Sequence, residues 1–174
     1  GSDSGTLANY YDLLIRKQLL TVLKAEELGE YLNFAKYLAG HMHLNSAESI
    51  SQTAFESLNV QFSLDYYPRE VSKRLNTMMN SGLLVHKIGD DSYAWKHSYI
   101  YSSLLGQFLA DNLERADVTA SIEDMSKHLY LAKNASAILF LLHFSKSNKL
   151  FNMLSSSIES LFSDARKFVL GKDT

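Results

Sequence analysis

The chain has 174 residues, a length typical of one or two packed domains. Apolar residues make up 46% and charged residues 21%, which excludes wholesale disorder, and the lack of cysteine excludes disulfides, thiolate metal ligands and a cysteine nucleophile. Seventeen basic and nineteen acidic residues give a net charge of −2, so binding to nucleic acid or to an anionic membrane would need a local basic patch.

Neither the N-terminus nor the apolar runs indicate a membrane or secretory segment. The longest apolar run, residues 138–142, is far shorter than the ~20 residues that cross a bilayer. Residues 1–6 are small and polar, without the basic and apolar regions of a secretory signal, and we predict them to be a tag or a disordered lead. These features favour a cytoplasmic protein without a membrane anchor.

Apolar residues recur at helical spacing in the next two segments. Residues 7–25 predict a linking helix, and residues 26–43 predict a second helix that opens with acidic residues suited to a helix N-terminus. Tyr10, Leu13 and Leu20 lie off the main apolar stripe of the linking helix, which indicates a second apolar face.

Two shorter helices are predicted next, one on each side of Pro68, the only proline of the chain. Ser49 or Ser51 is suited to cap the first of them. Pro68 is suited to the first turn of the second helix. Gly82 fits the position just after the end of that helix, where a left-handed backbone has no Cβ penalty.

Residues 83–88 and 92–96 are rich in β-forming residues and are separated by a Gly-Asp-Asp turn, a connection typical of a β-hairpin. Three helices followed by a hairpin is the order of a winged-helix domain, an elaboration of the helix-turn-helix. We therefore predict a mainly α fold with a winged-helix domain over residues 26–97.

Beyond the hairpin the pattern is helical, and residues 98–174 are predicted to form antiparallel helices of a bundle or of the start of an α-solenoid. The first of these helices is predicted over residues 97–114. Residues 121–124 have the form of a capping box that opens another helix. Residues 135–144 are apolar nearly all round and predict a buried helix, and residues 150–168 predict a last amphipathic helix.

Catalytic motifs are absent from the sequence. It contains no phosphate-binding loop of the form G-x-x-x-x-G-K-[ST], no G-x-G-x-x-G, no H-E-x-x-H and no G-x-S-x-G. His41 and His43 are two residues apart on a predicted helix, whereas helical metal ligands are spaced by three or four. Asp90 and Asp91 are typical of a solvated turn. We therefore predict that the chain is not an enzyme and holds neither a metal ion nor a cofactor.

A local basic patch is one candidate site. Residues 68–97 contain five basic and three acidic residues, which gives this segment a net charge of +2. Arg69, Lys73 and Asn76 are predicted on the exposed face of the recognition helix and Lys87 on the wing, which is where a winged helix contacts DNA. Because the acidic residues oppose the few phosphate contacts, the charge pattern disfavours nucleic acid as a partner.

The junction after the hairpin carries the most informative motif. Trp95, Lys96 and His97 form an aromatic-x-His step between a predicted strand and a predicted helix, and residues 108–113 follow near the end of that helix. This segment resembles the winged-helix part of bacterial STAND-class P-loop NTPases, the signalling ATPases that include the NACHT and NB-ARC families. Residues 138–146 are also similar to bacterial members of the class.

The resemblance implies a nucleotide-state switch. In STAND proteins the histidine of this step contacts the β-phosphate of bound ADP and locks the winged helix against the nucleotide-binding domain, and His97 occupies the matching position. It implies that a P-loop nucleotide-binding domain of the same polypeptide is the partner of this segment and binds the ADP or ATP. Exchange of ADP for ATP then releases the winged helix and permits oligomerisation.

There are three alternatives to this interpretation of the chain as a nucleotide-state switch. The chain could be a DNA-binding winged-helix regulator of transcription, or a protein interaction module with no link to nucleotide. At the level of the single residue, a histidine at a strand-to-helix junction is often a local hydrogen-bonding group.

Overall fold

The computed structural model describes residues 2–66 and 68–145, together with residues 150, 152, 154, 155 and 159. Its helices are α1 (Ser2–Leu19), α2 (Leu28–Leu44), α3 (Gln52–Asp65), α4 (Val71–Asn80), α5 (Ser98–Asp111), α6 (Ala116–Lys127) and α7 (Ala132–Phe144), with a 3-10 turn at Ala25–Glu27. Its strands are β1 (Ile50–Ser51), β2 (Leu84–Lys87) and β3 (Ser92–Trp95). The mainly α fold class is confirmed. Most of the last predicted helix lies outside the described residues.

The three strands form an antiparallel sheet in which β3 is central, with β1 on one side and β2 on the other. Leu84 of β2 pairs with Trp95 of β3, as the predicted hairpin requires. The sequence analysis did not predict β1, which pairs Ile50 with Tyr93. A strand of two residues has no alternating pattern that could be read from the sequence.

Capping residues define the start of α3 and the end of α4. The Ser51 hydroxyl accepts a hydrogen bond from the N–H of Ala54 at 3.1 Å and caps α3, as predicted. Gly82 has a φ of +82° just after α4, which confirms its left-handed position. The prediction for Pro68 is wrong, because the backbone is still extended at Glu70 and α4 begins only after it.

The start of α6 also differs from the prediction. Asp117 accepts a hydrogen bond from the N–H of Val118 at 2.9 Å and pairs with Arg115, so the first turn of the helix is already formed there. The capping box predicted at Ser121 is therefore wrong. Ser121 lies inside α6, where its hydroxyl forms a hydrogen bond with the imidazole of His43 in α2.

Helix α5 contributes to two hydrophobic cores. Its first half places Ile100 and Leu104 in a core built from α1 to α4 and the sheet. Its second half places Leu105 and Leu109 in a core built with α6 and α7. The predicted boundary between residues 97 and 98 thus falls at the start of a helix that both cores share. None of the helices within the described ranges combines the length and the apolar character of a bilayer-spanning segment.

Helix α1 packs along α5. Ile15 and Leu19 are fully buried in the first core, and the carboxylate of Asp12 accepts a hydrogen bond from the side chain of Gln107 in α5 at 3.2 Å. The helix begins at Ser2, so it extends into the segment predicted to be a lead.

Helices α5 and α7 approach each other closely at Gly106. A Cβ atom built on Gly106 would lie 2.5 Å from the Cβ of Phe140 and 2.8 Å from the backbone nitrogen of Leu141. The segment predicted to be a buried helix lies within α7. Leu139 is 55% exposed, so only one side of this helix is buried.

Replacing Gly106 by alanine is expected to push α5 and α7 apart and to lower the free energy of unfolding by about 1 to 3 kcal/mol, the usual cost of overpacking. Gly29→Ala in α2 is the matched control, because a Cβ at Gly29 meets no atom within 4 Å. That variant is expected to be as stable as the wild type or more stable. Urea denaturation measures both, and a Gly106→Ala variant as stable as Gly29→Ala would contradict the close helix contact.

Candidate functional site

His97 lies at the junction between the sheet and α5. It follows the last residues of β3, and its backbone carbonyl accepts a hydrogen bond from the N–H of Ile100 at 3.2 Å, so α5 starts directly after it. The His97 side chain is exposed and makes no capping hydrogen bond. The aromatic-x-His step therefore places a histidine at the N-cap of a helix, whose first N–H groups have no partner within the helix.

The imidazole of His97 is held by ring contacts. Its centroid lies 5.5 Å from that of Tyr99, and the two ring planes differ by 10°. Tyr99 stacks on Tyr11 of α1, with centroids 4.9 Å apart and planes at 28°. Burial raises the pKa of Tyr99, and the neighbouring Tyr10 and Tyr11 raise it further, so the phenol remains neutral.

His97 lines a cleft of about 690 Å³ between the sheet and the helices that follow it. The other walls come from α2, β3, α5, α6 and α7, and they include His43, Trp95, Tyr101, His128 and Lys133. Because α5 and α7 both begin at this cleft, two helix N-termini border it. Helix N-termini and the Lys133 ammonium favour an anion, whereas the carboxylates of Glu48 and Asp124 oppose one.

Two polar side chains deeper in the cleft are uncharged at neutral pH. Burial lowers the pKa of His43, and the nearby Lys133 lowers it further. The His43 imidazole forms a hydrogen bond with the hydroxyl of Ser121. Burial raises the pKa of Tyr101 to about 12, and the carboxylate of Glu48 acts in the same direction. These groups contribute hydrogen bonding to the cleft but no charge.

The three histidines of the cleft differ in their hydrogen bonding. His43 is bonded to a serine, and Nδ1 of His128 donates to the backbone carbonyl of Asp124 at 2.8 Å. Within the described residues, the ring nitrogens of His97 have no hydrogen-bond partner. The indole N–H of Trp95 is buried, also without an acceptor among these residues. His97 is therefore the cleft histidine for which neither ring nitrogen has a hydrogen-bond partner among the described residues.

The residues of the basic patch are placed differently from the prediction. Arg69 precedes α4, because the backbone is extended up to that helix, and the prediction that it lies on the exposed face of the helix is wrong. Its Nε donates to Glu30 at 3.0 Å. Lys73 does lie on α4, but its ammonium pairs with Glu27 at 3.1 Å. Acidic side chains from the start of α2 and the turn before it therefore cover this part of the patch.

Arg74, a third residue of the basic patch, is buried in the first core. Its side chain is 0% exposed, and Nη2 donates to Glu30 at 3.1 Å. The guanidinium carbon lies between 4.7 and 5.4 Å from the centroids of three aromatic rings, those of Tyr31, Phe34 and Phe62. Of the remaining predicted contacts, Asn76 and Lys87 are exposed.

His97 was singled out from the sequence, whereas the cleft that it lines was not predicted. His43 lies in α2, His128 follows the end of α6 and Lys133 lies in α7, so no local spacing connects the three residues. Among the described residues, no three histidine or acidic side chains come together to hold a metal ion. Comparison of the chain with known protein families, with curated proteins and with solved structures finds no match.

Proposed function

We propose that the chain is the winged-helix domain and adjoining helical segment of a STAND-type signalling NTPase, where it couples the nucleotide state to conformational change and oligomerisation. The position of His97 carries the proposal. The imidazole is exposed at the N-terminus of α5, directly after the central strand of the sheet. This is the place that the resemblance gives to the histidine that contacts ADP.

The order of the elements supports the winged-helix assignment. Residues 28–95 run through α2, β1, α3, α4, β2 and β3, and the sheet order is β1-β3-β2. A winged helix combines a helix-turn-helix with a β-hairpin that follows its recognition helix. In this assignment α3 and α4 form the helix-turn-helix, and β2 and β3 form the wing.

Two kinds of group in this chain would act on the phosphate of ADP. His97 would donate a ring N–H, and the N-terminal N–H groups of α5 would add their positive dipole end. These bonds would hold the chain against the P-loop nucleotide-binding domain of the same polypeptide. Exchange of ADP for ATP would then release it and permit oligomerisation, so the chain acts as a regulatory segment and not as an enzyme.

The isolated chain is expected neither to hydrolyse ATP nor to bind ATP or ADP tightly, because its sequence lacks the loop of backbone N–H groups that cradles phosphates. Calorimetry should give a Kd weaker than about 10 μM, which corresponds to roughly −7 kcal/mol. The His97→Ala variant of the isolated chain should behave in the same way. Tight binding by the isolated chain would contradict the proposal, since the phosphate site would then lie within these residues.

Binding of the chain to DNA is expected to be weak and to disappear as the salt concentration rises. Arg74 is buried and Arg69 and Lys73 are paired with glutamates, so few cations remain for phosphate contacts. A mobility-shift assay at about 150 mM salt should show no complex in the nanomolar range. A specific nanomolar complex that is lost in Asn76→Ala and Lys87→Ala would instead establish a DNA-binding regulator.

A further inference from the structure

Three aromatic rings stand in a row from the cleft to α1. The first is the imidazole of His97, the second is Tyr99 and the third is Tyr11, and neighbouring rings are stacked. Tyr11 also contacts the edge of Phe140 in α7, with centroids 6.0 Å apart and planes at 69°. The row thus joins the cleft histidine to two helices that are far from it in sequence.

The ring contact with Tyr99 favours one orientation of the His97 imidazole. An exposed imidazole without a hydrogen bond samples several staggered rotamers. Stacking against a neighbouring ring favours one of them, because near-parallel offset rings attract each other. Tyr99 is partly buried, so its own ring has less freedom than that of His97.

The position of Tyr99 depends on α1. Tyr11 stacks on Tyr99, and the carboxylate of the next residue of α1, Asp12, accepts a hydrogen bond from Gln107 of α5. Ile15, one turn further along α1, is fully buried in the first core. A displacement of α1 along α5 would therefore withdraw the Tyr11 ring from Tyr99.

We infer that Tyr99 is a positioning residue for His97 and that Tyr11 makes this positioning depend on the placement of α1. The consequence for nucleotide rests on the proposed function, whereas the ring geometry is a property of this chain alone. A movement of α1 would change the direction of the His97 ring N–H and so regulate its hydrogen bond to phosphate.

The ring protons of His97 report this geometry directly in NMR spectra of the 174-residue chain. His97→Gln assigns its signals among those of the six histidines. Tyr99→Leu is expected to change the chemical shifts of the His97 ring protons, because the ring-current field of the neighbouring Tyr99 ring is lost. Tyr11→Leu is expected to shift them in the same direction by a smaller amount, although Tyr11 does not contact His97.

The conservative variants Tyr99→Phe and Tyr11→Phe keep the aromatic rings and should leave the His97 ring protons at their wild-type chemical shifts. Tyr130→Leu is the matched control, because Tyr130 is 70% exposed and makes an edge contact with His128 at 5.8 Å. It should shift the signals of His128 and not those of His97.

Unchanged His97 signals in Tyr99→Leu or in Tyr11→Leu would overturn the inference, as would a shift in Tyr99→Phe. If Tyr99→Leu fails to fold, Tyr11→Leu and the two phenylalanine variants still test the inference. In the full-length protein, Tyr99→Leu is expected to weaken ADP binding by less than His97→Ala does, and Tyr99→Phe to leave it unchanged. If His97→Ala leaves ADP binding unchanged while the NMR shifts occur, the proposed function fails and the positioning role stands.

Discussion

Replacing Glu30 by glutamine is expected to lower the free energy of unfolding by about 3 to 5 kcal/mol, the range for breaking a buried ion pair. The Glu30 side chain is 7% exposed and accepts hydrogen bonds from Arg69 and from Arg74. Glutamine keeps the shape but removes the negative charge beside a guanidinium that is 0% exposed and surrounded by aromatic rings. The loss should appear as a lower urea midpoint at an unchanged slope.

Two further variants separate this charge effect from a general effect of mutation. Glu27→Gln removes the acidic partner of Lys73, whose side chain is 51% exposed, and should change the stability little. The double variant Glu30→Leu/Arg74→Met replaces the buried pair by apolar side chains and should recover much of the stability that Glu30→Gln loses. A Glu30→Gln variant as stable as Glu27→Gln would contradict the burial of this pair.

The second large effect is expected on replacement of His97 by alanine in the STAND-type protein that we propose as the parent of this chain. Loss of a hydrogen bond to a charged phosphate costs about 1.5 to 3 kcal/mol, which weakens the resting state by roughly ten- to a hundred-fold. The variant should therefore be active and oligomeric without its trigger, as light scattering with ATP would measure. The isolated chain should lose at most about 0.5 to 1.5 kcal/mol of stability, because its His97 has no phosphate to contact.

His128→Ala is the matched control for that experiment. His128 lines the same cleft, but its Nδ1 donates to the backbone carbonyl of Asp124. The control variant should remain in the resting state until the trigger is present. Equal activation of His97→Ala and His128→Ala would show a general loosening of the cleft and would contradict a specific role for His97.

Elements whose signals are local were predicted well from the sequence. The Ser51 cap needs only the three residues that follow it, and the left-handed position of Gly82 needs only the end of one helix. The capping box at Ser121 shows the limit of this reasoning. A local motif was present there, but the first turn formed earlier at Asp117, and the serine hydroxyl was used in a contact with α2.

Features that depend on distant partners could not be read from the sequence. Strand β1 exists because β3 lies beside it, and its two residues carry no pattern of their own. Arg74 was counted among the basic residues of the patch, but the structure buries it beside Glu30, a partner 44 residues away. His97 could be singled out because the aromatic-x-His step is local, whereas the cleft around it is formed by five elements that only the fold brings together.

Calorimetric titration of ADP into the full-length protein tests the role of His97 most directly. We expect ADP to bind tightly to the wild-type parent protein, about ten- to a hundred-fold more weakly to His97→Ala, and with unchanged affinity to His128→Ala. Equal ADP affinity of the wild type and His97→Ala, with a lower melting temperature for the isolated His97→Ala chain, would show that the histidine is structural and would contradict the proposed nucleotide sensor.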